Sequence, residues 1–277
     1  MLQRSSIVVT AVLALFVSTL AHASDVVYPG GGVLAQIVDG GGTQTTLTLV
    51  NMDNQPAPYT LIFYDDNGNH LTLSTTAGPP ASQLTGTLNV AASVIIKTNG
   101  GSSTATQGWA LLLTNTSVDS AGLEHLMIAG TAVFSLALPG NPVADASVPL
   151  DTGFDSVFAL PFDHTSAVTG VAMANTYQHT PLSIKVTVYD LNGSAILNDN
   201  IQLPGFGHTA FLLTDKYPQL ANRQGLVVFT PTASDQQNNP NGYVNALGLR
   251  ANLAQTSLST VTPIVPCYYN VSVGCKN

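Results

Sequence analysis

Residues 157–175 of this chain, VFALPFDHTSAVTGVAMAN, restate residues 33–51, VLAQIVDGGGTQTTLTLVN, at a constant offset. Without a gap, Val33 meets Val157, Ala35 meets Ala159, Asp39 meets Asp163, Thr45 meets Thr169 and Asn51 meets Asn175. The apolar pairs Leu34/Phe158, Val38/Phe162, Leu47/Val171 and Leu49/Met173 keep the same register. A chain that repeats itself this way implies two similar units in tandem, each closing its own core. The spacing within each copy implies strands. Thr45 to Val50 alternates apolar and polar residues, as do Leu182 to Tyr189, where Ile184, Val186 and Val188 share one face.

Turn signals punctuate both copies. Asp39-Gly40-Gly41-Gly42 separates the first two strands. Tyr64-Asp65-Asp66-Asn67-Gly68 returns as Tyr189-Asp190-Leu191-Asn192-Gly193, and Gln107-Gly108 returns as Gln224-Gly225. Asn-Gly between strands leads us to expect type I′ hairpins, with positive φ at both central residues. Residues 71 and 73 are expected on the return strand of the first hairpin, and 90–97 as a further strand. Tyr217-Pro218-Gln219-Leu220 has room for one helical turn. About seven short strands per unit read as an all-β fold: two tandem immunoglobulin-like antiparallel β-sandwiches after a cleaved signal peptide. The expected divisions are a signal peptide at 1–23, a flexible N-terminus at 24–32, sandwiches at 33–150 and 151–266, and a disulfide-closed tail at 267–277. Trp109, at the start of a strand after glycine, reads as core rather than a ligand platform.

The leader reading rests on Arg4, the apolar run Ile7 to Leu20 and the small-x-small site Ala21-His22-Ala23. The run is shorter than a membrane span requires, which sets aside the rival reading as an uncleaved anchor. Charged residues make up 8% of the chain against roughly 25% in an average domain. Thr, Ser, Asn, Gln and Gly must therefore cover the surface, which suits a protein working outside the cell. The net charge is −8, and Lys97, Lys185, Lys216, Arg223, Arg250 and Lys276 are scattered. Nucleic acid and anionic membrane surfaces both select clustered basic residues, so neither is expected as a partner. Cys267 and Cys275, close together in an exported chain, read as a disulfide.

The catalytic motifs are thin. There is no G-x-S-x-G elbow, no H-E-x-x-H, no phosphate-binding loop, and a single glutamate, Glu124. His70, His125, His164, His179 and His208 lie in or beside turns without metal-ligand spacing. Asp163 and His164, together with His208, form a weak candidate metal or catalytic site if the fold brings them together. Asp65, Asp66, Asn67, Asp190 and Asn192 offer oxygens for calcium, as do Asp25, Asp145, Asp151 and Asp155 near the unit boundaries. Hairpin chemistry competes with that reading. Tyr177, Tyr217, Tyr243, Tyr268 and Tyr269 are weak platforms for sugar rings.

The run LPFDHTSAVTGVAMAN, followed by VYDLNG, LPGFGHTAFLL, YPQL, QGLVVFT and ALGLR, resembles a module of exported bacterial proteins that often occurs in tandem. The resemblance covers most of 155–264 and, more weakly, 33–150. It implies a β-sandwich and export, and brings no catalytic residues. The expected function is a non-catalytic structural or adhesion-type binding protein of the cell surface or periplasm, with an unknown protein or glycan partner and no cofactor. The alternatives are a glycan-binding module, with or without calcium, and, behind it, an enzyme.

Overall fold

The computed structural model describes residues 31–265, apart from 119, 121, 123, 152–156, 234–243 and 255, together with two short tail strands, Tyr268–Asn270 and Gly274–Lys276. The expected leader lies outside the described residues, as does Cys267 of the expected Cys267–Cys275 disulfide. The first half is built from β1 (Gly31–Asp39), β2 (Thr43–Asn51), β3 (Ala57–Tyr64), β4 (Gln83–Leu88), β5 (Ser93–Lys97), β6 (Thr106–Thr114), β7 (Ile128–Leu136) and β8 (Ala144–Pro149). The second half contains β9 (Phe158–Asp163), β10 (Ala167–Asn175), β11 (Leu182–Asp190), β12 (Ala195–Leu203), β13 (His208–Leu212), β14 (Gln224–Ala233), β15 (Val244–Asn252) and β16 (Leu258–Val261). Among the described residues each half thus has eight principal strands, one more than the turn signals suggest.

The strands form four antiparallel sheets, ordered β1-β6-β3-β4, β8-β7-β2-β5, β9-β14-β11-β12 and β16-β15-β10-β13. The second pair repeats the first, strand for strand. In each half one core draws side chains from both sheets. Leu34, Phe63 and Leu111 meet Leu47, Leu49 and Phe134 in the first half; Phe158, Val186 and Phe229 meet Val171 and Met173 in the second. Period-two alternation does this work. Leu47 and Leu49 are buried while Thr46 and Thr48 are half-buried, and each fully buried leucine contributes roughly 1.5–3 kcal/mol.

The repeated residues do repeated jobs. Asn51 Nδ2 donates to the carbonyls of Gln55, Leu88 and Asn89, and its Oδ1 accepts from the Asp53 amide. Asn175 donates to Thr180 and Pro204 and accepts from Tyr177. Both are buried and tie the end of the second strand to two loops. A methyl group on Gly108 would lie 2.0 Å from the Tyr64 carbonyl oxygen, and one on Gly225 would lie 2.1 Å from that of Tyr189. The pairing of strands at that point therefore requires glycine.

Several local expectations are corrected. β1 begins at Gly31, because Gly31 and Gly32 pair with Leu113 and Leu112, so the expected flexible stretch does not extend to 32. The Asn-Gly turns are not type I′. Gly68 and Gly193 have φ of 82° and 80°, but neither Asn67 nor Asn192 is among the non-glycine residues with positive φ. Instead Asp65 Oδ1 accepts from the amides of Asn67 and Asn69, and Asp190 Oδ1 from those of Asn192 and Ser194. The aspartate builds a wider turn that needs only one left-handed residue. In the first half the chain returns to β3 at Leu71, whose amide donates to the Phe63 carbonyl beside a Tyr64–His70 bridge, but Leu73 does not continue that pairing, and the strand that runs along β3 is β4. Leu73–Thr75 pairs with Gly78–Ala81 in a separate hairpin. β5 starts at Ser93, because Ala91 has φ of 56° and ends the extended run before it. Pro218–Leu220 does form the expected helical turn. Among the described residues no helix is long and apolar enough to cross a membrane.

Candidate functional site

A constellation of polar and aromatic side chains lies where the halves meet. The first half contributes the end of β3, the turn after it and the start of β6: Tyr64, Asp66, Gln107 and Trp109. The second half contributes the loop Gly205-Phe206-Gly207-His208, which joins β12 to β13. Phe206 adopts a left-handed backbone with φ of 53°, a conformation that costs a non-glycine residue roughly 1–2 kcal/mol. The surroundings hold it there. Its ring packs 4.7 Å from Tyr64 and 5.8 Å from Trp109, measured between centroids, and Tyr64 stacks on Trp109 at 4.8 Å. The fully buried Trp109 indole N–H donates to the Phe206 carbonyl at 2.7 Å. Trp109 is core, as expected, but the core it fills is shared between halves.

Beside this aromatic cluster, His208 Nδ1 lies 2.7 Å from Asp66 Oδ1, and the His208 amide donates to the Asp66 carbonyl. Gln107 Nε2 donates to Asp66 Oδ2 at 2.9 Å. Burial pushes the Asp66 carboxyl up. The hydrogen bonds from His208 and Gln107 and the charge of His208 outweigh that effect and hold it below the usual carboxylate range. A second polar tie runs from Asn245 Nδ2 to Asp151 Oδ2 at 3.1 Å. Apolar contact completes the joint. Ala172, Ala174, Phe206 and Leu247 of the second half belong to the hydrophobic cluster of the first.

The sheet face that the second half turns to the first is distinct in composition. Gly170, Ala172 and Ala174 occupy the positions that Thr46, Thr48 and Val50 hold in the first copy. Leu247 and Leu249 stand where β7 has Thr131 and Val133. The covered face is therefore apolar and the uncovered one carries threonines. The turns differ likewise. A methyl group on Gly68 would lie 2.1 Å from the Gly205 carbonyl oxygen across the joint, whereas one on Gly193 would meet nothing within 4 Å. The first turn is docked, and Leu191 in the second is 74% exposed.

The residues singled out from the sequence fall elsewhere. Asp163 accepts from Thr165 and Ser166 in its own turn, and the Thr165 hydrogen bonds hold its carboxyl at about 2. His164 is buried against Phe162, with Nδ1 on the Leu220 carbonyl. Burial pushes its pKa down, against the Leu220 hydrogen bond and the Asp163 charge. His208 pairs with Ala174 at one end of β10, while Asp163 and His164 lie beyond its other end, at Ala167. These ends are seven residue steps apart along the strand, roughly 23 Å. The expectation that Asp163, His164 and His208 converge is therefore corrected. His70 packs edge-on against Tyr64, and His125 Nε2 meets Asp53 Oδ2 at 3.0 Å. Asp65 and Asp190 are committed to their turns; Asp145 is exposed on β8, and Asp25 and Asp155 lie outside the described residues. Among the described residues no group of three or more His, Cys, Asp or Glu side chains is placed to hold a metal ion.

Chemically, an imidazole on a carboxylate resembles half of an acid–base relay. The His208 side chain, however, is 0% exposed, and its Nε2 is buried with no hydrogen-bond partner among the described residues. A substrate outside the joint cannot reach that nitrogen. The pair's geometry suits a latch. The sequence reading passed over Asp66, Gln107, Phe206 and His208 as a group. The available signal was the contrast between copies at outward-facing positions, apolar in one and threonine-rich in the other. No known protein family matches the chain, and no curated protein does.

Proposed function

We propose that this is an exported, non-catalytic structural or binding protein, made of two immunoglobulin-like β-sandwiches locked into one rigid unit. The observation that carries the reading is the use of Asp66, Gln107 and His208. Asp66 and His208 would be the strongest candidates for proton transfer, and both are engaged in holding the halves together, with Gln107 fixing the Asp66 carboxylate. A rigid tandem fixes the spacing and orientation of the loops at its two free ends, which suits a scaffold that meets a protein or glycan partner. The low charge content and the leader-like N-terminus support work outside the cytoplasm.

Producing the full chain in a bacterial host and sequencing the N-terminus of the recovered protein tests the reading. Export with cleavage yields a protein outside the cytoplasm that begins at Ser24. A cytoplasmic protein that retains residues 1–23 contradicts it. The non-catalytic part is tested by His208→Ala and Asp66→Asn, which are expected to change stability and leave any associated turnover untouched.

A further inference from the structure

We propose that copies of this protein associate head to tail: the turn at 190–193, on the free end of the second half, receives the loop at 89–93, on the free end of the first half of another copy. The joint inside the chain shows the pattern. There the turn after β3 receives the loop before β13, and the His208 amide donates to the Asp66 carbonyl. Each free end is the repeat of one of those two parts. The loop before β5 is built like the loop before β13. The Asn51 amide donates to the Ala92 carbonyl as that of Asn175 does to Gly207, and the Ala92 amide to Asn89 as that of Gly207 does to Pro204. Ala91, with φ of 56°, is left-handed in the place of Phe206, with φ of 53°. The turn after β11 has the same aspartate-built form as the turn after β3.

The two free ends also match chemically. Leu191 and Ser93 hold the positions of the latch pair Asp66 and His208, so the charge is gone from both sides at once. Its loss from one side alone would leave a charge without a partner, which is costly to cover. Leu191 is 74% exposed, close to the half-buried Tyr189 and Leu226, which pair as Tyr64 and Trp109 do. The turn borders a hollow of about 260 Å³ lined also by Thr165, Ile196, Arg223 and Gln224. On the opposite end of the molecule Val90 is 51% exposed, and Met52, next to Asn51, is 67% exposed. Gly193 stands open, whereas Gly68 in the same place is closed off by Gly205. The chain thus carries the complement of each of its own ends, which selects a second copy over an unrelated partner. The sheet faces take no part. Thr46 and Thr48 stand where the joint has Gly170 and Ala172, so the contact between copies is confined to the end loops and is weak and reversible. Self-association of this kind rests on the structural reading above and names its partner; its failure leaves export and cleavage, read by N-terminal sequencing, unaffected.

The test is sedimentation equilibrium of the purified protein and of two variants at exposed positions, Leu191→Asp and Val90→Asp, with unchanged Trp109 emission as the check on folding. The wild type is expected to show an average mass that rises with concentration past that of a dimer, because each added copy leaves a free end. Either substitution places an unpaired charge in the contact and weakens association at least about tenfold. An equimolar mixture of the two variants forms a one-to-one dimer and stops there, since one intact loop meets one intact turn. A wild type that stays monomeric at about 1 mM, where even weak contacts register, overturns the proposal. So does a mixture of variants that stays monomeric. A mass that levels off at the dimer, lost in Leu191→Asp and kept in Val90→Asp, also overturns it, because two Leu191 turns would then be meeting each other.

Discussion

His208 and Asp66, 142 residues apart in the chain, meet at 2.7 Å across the joint, with the imidazole fully buried and the carboxylate 43% exposed. A hydrogen bond to a charged group contributes about 1.5–3 kcal/mol when shielded, and solvent around Asp66 moves the value toward the low end. A double-mutant cycle with His208→Ala and Asp66→Ala is therefore expected to give a coupling of about 1 kcal/mol in denaturant unfolding. Additive single mutants would mean that the contact is idle.

Acid should loosen the joint before it unfolds either core. The folded-state pKa of Asp66 is below the ordinary value of 3.8, so the unfolded chain takes up the proton first. The stabilisation is complete above pH 3.8 and is lost as pH falls through the lower, folded value. Asp163, at about 2, acts in the same direction within the second half. Melting temperature is expected to decline below about pH 4, and Asp66→Asn should flatten that decline.

His164 gives a separate window. Burial lowers its pKa below 6.5, so protons bind the unfolded state more readily. Stability is expected to fall as pH drops from 6.5 toward the folded value. His164→Gln, measured by thermal melts between pH 5 and 7, should remove that part of the dependence and leave the decline at lower pH in place.

The paired glycines offer a test of the repeat. Gly108→Ala and Gly225→Ala each drive a methyl group to about 2 Å from a carbonyl oxygen, that of Tyr64 or Tyr189. Each is expected to destabilise by more than about 3 kcal/mol, in the upper tail of single substitutions. Gly193→Ala meets no neighbouring atom and pays only for its positive φ, about 1 kcal/mol. Urea unfolding of the three variants orders them.

The sequence was most legible where one local rule decided the outcome. Alternation in β2 and β11, the Pro218 helical turn and the burial of Trp109 follow from residue type and spacing alone. The Asn-Gly turns misled because Asp65 and Asp190 supply side-chain acceptors that select a wider turn than Asn-Gly alone would. The Asp163, His164 and His208 grouping failed for a different reason. Adjacency to strand ends says nothing about which end, and β10 holds the two histidines a full strand length apart. The joint was hidden because Asp66 reads as turn chemistry and His208 as a loop residue until the copies are placed side by side. Only then does the exchange of Thr46 and Thr48 for Gly170 and Ala172 mark one outer face as covered.

The central claim is that the halves form one mechanical unit through the joint, and Trp109, the single tryptophan, reports on it directly. Equilibrium unfolding should be followed by Trp109 emission and by far-ultraviolet circular dichroism in the same samples. The account predicts one cooperative transition with coincident midpoints and a blue-shifted native emission that Phe206→Ala moves to the red. Exposure of Trp109 at a lower denaturant concentration than the loss of β structure, with each half then melting on its own, would contradict it.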